Sequence, residues 1–456
     1  MSITLKEPLS ELVQLPHTFT SGKSFPKKIH IYDETIRDGE QMPGVAFSPK
    51  QKLHLAKFLS DLGVDVILPA FIISSASDRE AYKKILKARK RGQIRSDVEI
   101  LTIARANRED LDLAAAITQS AGISTNQVGV LILSTTSDLH LKYKLGRVLL
   151  RYKNEPEDTW LEKPVEWYRQ ANLDFITDHI RYAKKLGFGV IEFATEDASR
   201  AQLDYLIKWA KSCREAGGTR LCFSDTCGVL TPEAVDYYFP PLISALPDFQ
   251  ITAHFHNDFG LASLNTVRAL SHGATHASIT ACGIGERAGN ASIHQVALIL
   301  KELYGITLPN FRYDKLWELR RLIEQYSGIP IQAHEPIIGH NVFRHESGIH
   351  TAGISIHPAI YQFLDESVVG GEHAFVFGKH SGGASINKVA SQYFEGSSLN
   401  SSQINQILEE VKFIRESNIP PNGYTKTLKS YYTHLDELGV PKSTLIDVIA
   451  KHIRDY

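Results

Sequence analysis

Hydrophobic positions along the first two thirds of the chain follow two alternating patterns. Amphipathic segments typical of helices, such as 49–62 and 232–243, separate short runs rich in β-branched residues. These runs predict eight strands at residues 28–32, 64–68, 98–103, 128–133, 189–193, 220–223, 250–255 and 277–281. Eight alternating strand and helix units favour an α/β fold with a closed (β/α)8 barrel, the TIM barrel, over an open parallel sheet.

The strand periodicity stops near Leu308, and a mixed region rich in Gly, His and Pro follows. Helical patterns then return at 403–416, 424–438 and 443–453, and a Ser/Asn-rich turn at 396–402 precedes them. We predict an N-terminal extension at 1–28, a catalytic TIM barrel at 29–308, a linker with a first C-terminal subdomain at 309–394 and a second, helical subdomain at 395–456.

Composition narrows the class of partner. The chain has 50 Lys and Arg against 51 Asp and Glu, so a net charge of −1 gives no reason to expect nucleic acid or an anionic membrane. Apolar runs are too short for a membrane span, and the N-terminus shows no targeting pattern. The four cysteines form no C-x-x-C pair, which suits a reducing compartment. We therefore expect a cytoplasmic protein that acts on small molecules.

Polar residues lie where the predicted strands end. They are Arg37 and Asp38 after the first strand, Arg105 after the third, Thr136 after the fourth, Glu196 after the fifth, Thr226 after the sixth, His254 and His256 at the seventh, and residues 286–290 after the eighth. TIM barrels carry their chemistry at the carboxyl ends of the strands, so this register predicts an active site there. The alternative is that these are ordinary polar loop residues.

Two histidines and an aspartate indicate a metal site. His254 and His256 are spaced i and i+2, which in a strand points both imidazoles to one face. Asp38 and the side-chain oxygen of Asn290 would complete a ligand set and leave positions open for substrate. The alternatives are a solvated histidine pair and an asparagine that caps the next helix.

Four motifs resemble a known family. They are D-E-T-I-R-D-G-E-Q-M-P-G from Asp33, H-F-H-N-D-F-G from His254, G-I-G-E-R-A-G-N from Gly283 and H-E-S-G-I-H from His345. Over residues 29–385 the chain resembles the DRE-TIM metallolyases, and within them the isopropylmalate, homocitrate and citramalate synthases. The resemblance implies a Claisen condensation of acetyl-CoA with a 2-oxo acid, which gives a 2-alkylmalate and CoA in amino-acid biosynthesis, and a divalent Mg, Mn or Zn cofactor.

The resemblance also implies residue roles. It makes Asp38, His254, His256 and Asn290 metal ligands. Arg37 would bind the developing alkoxide, Gln41 would lie at the edge of the metal site, and Thr226 would donate a hydrogen bond to the carboxylate of the acceptor. Glu196 would lie near the reacting carbons, and His350, accompanied by Tyr361, would act as base from the partner subunit of a domain-swapped homodimer. The alternative for His350 and Tyr361 is a structural role.

Several positions depart from the family and bear on the acceptor. Glu192 and Ala194 stand where homocitrate synthases carry residues for a distal carboxylate, and Leu68 replaces a usual glutamate. Leu131 and Leu133 align with a histidine and an aromatic residue. Glu192 would repel a second carboxylate, so we expect 2-oxoglutarate to be a poor acceptor and the pocket, with Arg105 at its edge, to be apolar. Because this sequence ends at Tyr456, we do not expect the leucine-sensing domain that isopropylmalate synthases often carry.

These departures favour a phenylpyruvate-type acceptor, as in 3-benzylmalate synthase. Other synthases of the family remain open: isopropylmalate synthase with 2-oxoisovalerate, and the homocitrate, citramalate and Re-citrate enzymes. A second class is the metal-dependent retro-aldol acyl-CoA lyase, such as hydroxymethylglutaryl-CoA lyase. A third is a non-catalytic barrel scaffold, against which the complete set Asp38, His254, His256 and Glu196 argues.

Overall fold

Eight parallel strands form a closed barrel in the computed structural model, which describes residues 6–20, 22, 24–394, 399–421, 423–440 and 443–448. The strands are β1 His30–Asp33, β2 Val66–Ile67, β3 Glu99–Arg105, β4 Gly129–Thr135, β5 Val190–Glu196, β6 Arg220–Asp225, β7 Gln250–Phe255 and β8 His276–Ile279. They pair in chain order, and β1 closes the barrel against β8 with Tyr32 opposite Ser278. The predicted (β/α)8 fold is confirmed.

Helices connect these strands. They are Pro49–Leu62, Ala76–Lys90, Arg108–Ser120, Asp138–Tyr143, Gly146–Tyr152, Val165–Lys185, Leu203–Ala216, Pro232–Ala245, Ala262–Ser271 and Ile293–Leu298. The first illustrates how the sequence sets their ends. Ser48, the residue before the helix, and Gln51 in its first turn form a reciprocal capping box, and Gly63 ends the helix with a φ of 108°, a conformation that favours glycine.

The chain divides into two compact units, Phe19–Arg312 with the barrel and Met1–Thr18 with Tyr313–Tyr456. In the second unit the described helices include Leu9–Leu12, Leu316–Ser327, Gly348–Ile356, Gly383–Tyr393, Ser401–Ser417 and Thr425–Glu437. The expected helical C-terminal region is therefore present. Two short strands there, β9 Arg344–His345 and β10 Ala374–Phe375, pair in parallel and were not predicted.

Two sequence predictions reach beyond the described residues. Of the turn at 396–402, residues 396–398 lie outside them, and of the last helix at 443–453, residues 443–448 are helical and the rest lie outside. The division of the C-terminal region at residue 394 stays a prediction. Among the described residues, each helix is too short or too polar to cross a bilayer.

The interior of the barrel is part ionic and part apolar. Arg220 on β6 bonds Glu192 on β5 and Glu99 on β3, with Nη2 to oxygen distances of 3.0 and 2.5 Å. Next to these groups, side chains from several strands form a buried apolar cluster of Tyr32, Val66, Leu68, Leu101, Ile103, Leu131, Ala194 and Cys222. The polar residues of the candidate site lie toward the carboxyl ends of the strands, where TIM-barrel enzymes carry their active sites.

Candidate metal centre and active site

The carboxyl ends of β1 and β7 bring one carboxylate and two imidazoles together. Asp38 lies in the loop after β1, His254 lies in β7, and His256 follows β7 directly. The Nε2 atoms of His254 and His256 are 3.5 and 4.0 Å from Oδ2 of Asp38, and all three residues are buried. One ligand atom from each lies within 4.8 Å of the others, so the three could hold one metal ion.

The electrostatics of this cluster suit a divalent cation. Burial lowers the pKa of His254, and burial together with His254 lowers the pKa of His256 to about 4. Neutral imidazoles offer the lone pairs that a metal needs. Burial by itself raises the pKa of Asp38, but Arg37, the two histidines and Asn290 outweigh it, and the net pKa lies below its usual value. One carboxylate and two neutral imidazoles therefore form a fitting donor set.

Asn290 reaches the cluster from the glycine-rich loop after β8. Its Nδ2 donates a hydrogen bond of 2.9 Å to Oδ2 of Asp38, whereas its Oδ1 is buried without a partner among the described residues. The close approach depends on Gly285, where an added Cβ would stand 1.9 Å from that Oδ1. Asn290 thus reaches Asp38 with its amide nitrogen, and its predicted ligand role would use the unpartnered Oδ1.

Glu34, which the sequence analysis did not single out, joins this cluster to Arg37. Its Oε1 lies 3.0 Å from Nδ1 of His254 and accepts a 2.6 Å hydrogen bond from Oγ of Ser278. Its Oε2 accepts a hydrogen bond from Nη2 of Arg37, whose Nη1 lies 3.5 Å from Oδ1 of Asp38. The only sequence signal was that the motif carrying Asp38 holds three further acidic residues, Asp33, Glu34 and Glu40.

A cavity of ≈ 270 Å³ opens above these groups. Its lining joins the metal cluster to Arg37 and to six further predicted residues, Gln41, Leu131, Leu133, Ala194, Glu196 and Thr226. The lining also includes Glu286 and Arg287 from the polar loop predicted after the eighth strand, and four residues that the sequence analysis did not name: Glu34, Lys144, Cys222 and Ser224. Residues from six strand ends and their loops thus meet at one site.

Three predicted pocket residues do not line this cavity. Glu192 is fully buried, where it accepts hydrogen bonds from Arg220 and from Thr252, the latter of 2.6 Å. Its charge is therefore neutralised inside the barrel, and the argument that it repels a second carboxylate of the acceptor is corrected. Leu68 belongs to the buried apolar cluster. Arg105 makes two 2.9 Å bonds to Asp110 instead.

Thr226 and Glu196 face the cavity with defined partners. The Oγ1 of Thr226 accepts a 2.8 Å hydrogen bond from the backbone N–H of Asp197, which leaves the hydroxyl proton of Thr226 free to be donated. Glu196 forms an ion pair with Lys144, which follows a short helix after β4. Thr136, the predicted polar residue after β4, is fully buried and bonded to Thr195 rather than part of the lining.

His350 and Tyr361 belong to the C-terminal unit. Their rings stack with centroids 4.2 Å apart and an interplanar angle of 22°. His345, from the same sequence motif, lies 6.3 Å from His350 by ring centroids and bonds Gln362 at 3.4 Å. The predicted pair is therefore a local unit of structure, carried on the helix Gly348–Ile356 and the turn that follows it.

Comparisons with known proteins agree with the fold and identify the family. Residues 28–323 match the family described as HMGL-like, and residues 337–418 match the family described as homocitrate synthase post-HMGL domain-like. The chain is similar to a hydroxymethylglutaryl-CoA lyase structure from Bacillus subtilis, with a TM-score of 0.54 and 20% identity over 68% of this chain and 97% of that one. At that identity the likeness shows the fold alone.

Two curated relatives have a higher sequence identity to this chain than that structure has. A 2-isopropylmalate synthase from Sulfurisphaera tokodaii is 36% identical over 86% of this chain and 92% of its own length. A homocitrate synthase from Methanopyrus kandleri is 37% identical over 78% of this chain and 81% of its own length.

Fold and site together define a TIM-barrel enzyme with a candidate metal centre at the carboxyl ends of its strands. The chain belongs to the DRE-TIM 2-alkylmalate synthase family. It is an acyltransferase that condenses the acetyl group of acetyl-CoA with a 2-oxo acid, and it belongs to a metal-dependent family. The reading of the chain as a non-catalytic scaffold is wrong.

Proposed function

We propose that the acceptor is a hydrophobic 2-oxo acid of the phenylpyruvate type and that the product is a 3-benzylmalate. The observation that carries this proposal is the apolar part of the cavity wall, formed by Leu131, Leu133, Ala194 and Cys222. The small side chain of Ala194 leaves room where a larger residue would fill the wall. Burying an apolar acceptor side chain against such a wall contributes about 25 cal/mol for each Å² removed from water.

The polar side of the cavity would hold the reacting end of the acceptor. We assign Asp38, His254, His256 and Asn290 to a divalent cation, with Mg, Mn and Zn as candidates. When bound there, such a cation would polarise the ketone carbonyl of the 2-oxo acid. The donor set of one carboxylate, two neutral imidazoles and an unpartnered amide oxygen supports this assignment.

Arg37 and Thr226 would bind the oxygens of the acceptor. The Nε of Arg37 is buried and has no partner among the described residues, so a donor remains for the oxygen that becomes negative during condensation. The hydroxyl of Thr226 would donate a hydrogen bond to the acceptor carboxylate, and Gln41 also lines the cavity. Both roles rest on groups that face the cavity already.

A base must take a proton from the methyl group of acetyl-CoA. We assign this step to His350, supported by Tyr361 and by Glu196 of the barrel. The methyl carbon then bonds the ketone carbon of the acceptor, and water cleaves the thioester to release CoA. The assignment implies a domain-swapped homodimer in which His350 serves the partner's barrel. We also propose that the enzyme acts in the cytoplasm.

A second acceptor class has support of its own. Relatives named 2-isopropylmalate synthase match most of this chain, which favours 2-oxoisovalerate as the alternative acceptor. A dicarboxylate such as 2-oxoglutarate is no longer disfavoured by charge. Arg220 neutralises Glu192 inside the barrel, and Lys144 adds a positive charge to the cavity lining.

The acceptor can be measured directly. Purified enzyme is supplied with acetyl-CoA, metal and each 2-oxo acid in turn, and release of the free CoA thiol gives kcat/KM for each. We expect phenylpyruvate or its hydroxylated relative to lead, 2-oxoisovalerate to follow and 2-oxoglutarate to be weakest. A lead for 2-oxoisovalerate would return the chain to the isopropylmalate synthases, and a lead for 2-oxoglutarate to the homocitrate synthases.

A further inference from the structure

We propose that Glu34 is a positioning residue that orients His254 toward the metal and Arg37 toward the acceptor with a single carboxylate. The inference rests on the proposed metal site, and it adds a residue to which no ligand or catalytic role is otherwise assigned. Glu34 lies directly after β1 and is 1% exposed. Each of its two carboxylate oxygens serves a different functional side chain.

The first oxygen fixes the ring of His254. Oε1 of Glu34 lies 3.0 Å from Nδ1 of His254, and Oγ of Ser278 lies 2.9 Å from the same nitrogen while it donates to Oε1. Two acceptors around Nδ1 keep the proton on that nitrogen. The lone pair is then on Nε2, the atom that lies 3.5 Å from Asp38. Partners of this kind behind a ligating histidine set its tautomer and ring orientation.

The second oxygen fixes the guanidinium of Arg37. Oε2 of Glu34 accepts a hydrogen bond from Nη2 of Arg37, which is 14% exposed in its side chain. The planar guanidinium is then held at one edge, and its Nε, which has no partner within the described part of the chain, keeps a fixed direction. Because an arginine side chain has many rotamers, such an anchor reduces what must be ordered when the acceptor binds.

The backbone of Glu34 has a separate structural role. Its carbonyl oxygen accepts hydrogen bonds from the N–H groups of Arg37 and Asp38 at 3.0 and 2.7 Å, and its own N–H donates to Ile279 at 2.9 Å. These bonds hold the loop after β1 whatever side chain stands at this position. Replacing the side chain therefore tests its positioning role without removing the backbone contacts that shape the loop.

Two substitutions separate the two oxygens. In Glu34→Ala, Arg37 loses its anchor, and Nδ1 of His254 loses the carboxylate and keeps only Oγ of Ser278 as a partner. In Glu34→Gln, one oxygen remains to accept from Nδ1 of His254 and from Ser278, but the amide N–H₂ faces the guanidinium, and two donors then oppose each other. Glu34→Gln should therefore release Arg37 while His254 stays oriented.

The primary measurement is metal affinity, obtained by calorimetric titration of Mn²⁺ into chelator-treated protein with no substrate present. We expect Glu34→Ala to bind Mn²⁺ roughly 10- to 100-fold more weakly than wild type, since outer partners of ligating histidines have effects of that size. Glu34→Gln should stay within about 3-fold of wild type in metal affinity, while its KM for the best 2-oxo acid rises and its kcat falls.

Glu99→Gln is the matched control, because Glu99 also accepts from a buried arginine, Arg220, but lies at the start of β3 away from the metal cluster. It should leave Mn²⁺ affinity unchanged. Wild-type Mn²⁺ affinity in Glu34→Ala, or equal losses in Glu34→Ala and Glu99→Gln, would overturn the proposal. Because the titration contains no acceptor, a wrong choice of 2-oxo acid would leave its result unaffected.

Discussion

Nη2 of Arg220 lies 3.0 Å from Oε2 of Glu192 inside the barrel, and both side chains are shielded from water. Arg220 also bonds Glu99, its Nη1 lies 3.1 Å from Nε2 of His276, and its guanidinium lies over the ring of Tyr32. An arginine buried in this way needs its carboxylate partners because a charge without them is costly inside a protein. Glu192 therefore has a structural role as a partner of Arg220 inside the barrel.

The first prediction concerns that pair. Glu192→Gln should lower the free energy of unfolding by about 3 kcal/mol, because it leaves the charge of Arg220 only partly compensated. Urea denaturation measures this loss of unfolding free energy. The double variant Glu192→Leu with Arg220→Met removes both charges and should recover much of the stability. The ranking of 2-oxo acids should not change in Glu192→Gln, and a gain of 2-oxoglutarate activity would restore the earlier interpretation of Glu192.

The second prediction concerns the metal. Removal of divalent cations by a chelator should abolish CoA release, and one of Mg²⁺, Mn²⁺ or Zn²⁺ should restore it, because Asp38, His254 and His256 are grouped as a ligand set. Asp38→Asn and His254→Ala should lose activity under saturating metal while their circular dichroism spectra stay unchanged. Full turnover at a verified metal content of zero would refute the metal mechanism.

The third prediction uses the close packing of the loop after β8. In Gly285→Ala the new Cβ would stand 1.9 Å from Oδ1 of Asn290, so the amide must move and Asp38 loses its 2.9 Å hydrogen bond. We expect metal affinity to fall roughly 10- to 100-fold, the size of effect seen when outer partners of a metal site are lost. Gly439→Ala is the control, because an added Cβ there meets no atom within 4 Å. Equal metal affinity in both variants would contradict the prediction.

The fourth prediction tests the apolar wall. Ala194→Leu should narrow the cavity beside Leu133 and penalise aromatic acceptors more than branched aliphatic ones. A phenyl group that can no longer be buried forfeits roughly 2 to 3 kcal/mol, or about 30- to 150-fold in kcat/KM. Each acceptor serves as the control for the other in the same variant. Equal losses for phenylpyruvate and 2-oxoisovalerate would count against the aromatic acceptor.

The fifth prediction tests the proposed action of His350 on the partner's barrel. Asp38→Ala and His350→Ala chains should each be inactive, and hybrid dimers formed from the two should regain part of the activity, because one of the two sites then has both residues. The hybrids are best purified with two different affinity tags before thiol release is measured. Inactive hybrids with confirmed composition would show that His350 does not act across subunits.

The sequence by itself determined the barrel fold and the end of the barrel that carries the candidate active site. Alternating periodicities specified eight strand and helix units, and helix signals such as Ser48 with Gln51 fixed element ends, because these are local properties of the chain. The i, i+2 spacing of His254 and His256 placed both imidazoles on one face for the same reason. Motif resemblance then identified the family, which the comparisons confirm.

Only the tertiary structure decided which side chains meet. Glu192 and Ala194 both point into the barrel from β5. Glu192 is bonded to Arg220 in the barrel interior, whereas Ala194 lines the cavity at the carboxyl ends of the strands. This difference depends on the residues that the neighbouring strands contribute. Glu34 contacts Ser278, 244 positions further along the chain, because β1 and β8 are adjacent only when the barrel closes. Local sequence patterns give the direction of a side chain, but its partners are set by contacts between distant strands, which is why Glu34 and Lys144 emerged from the structure alone.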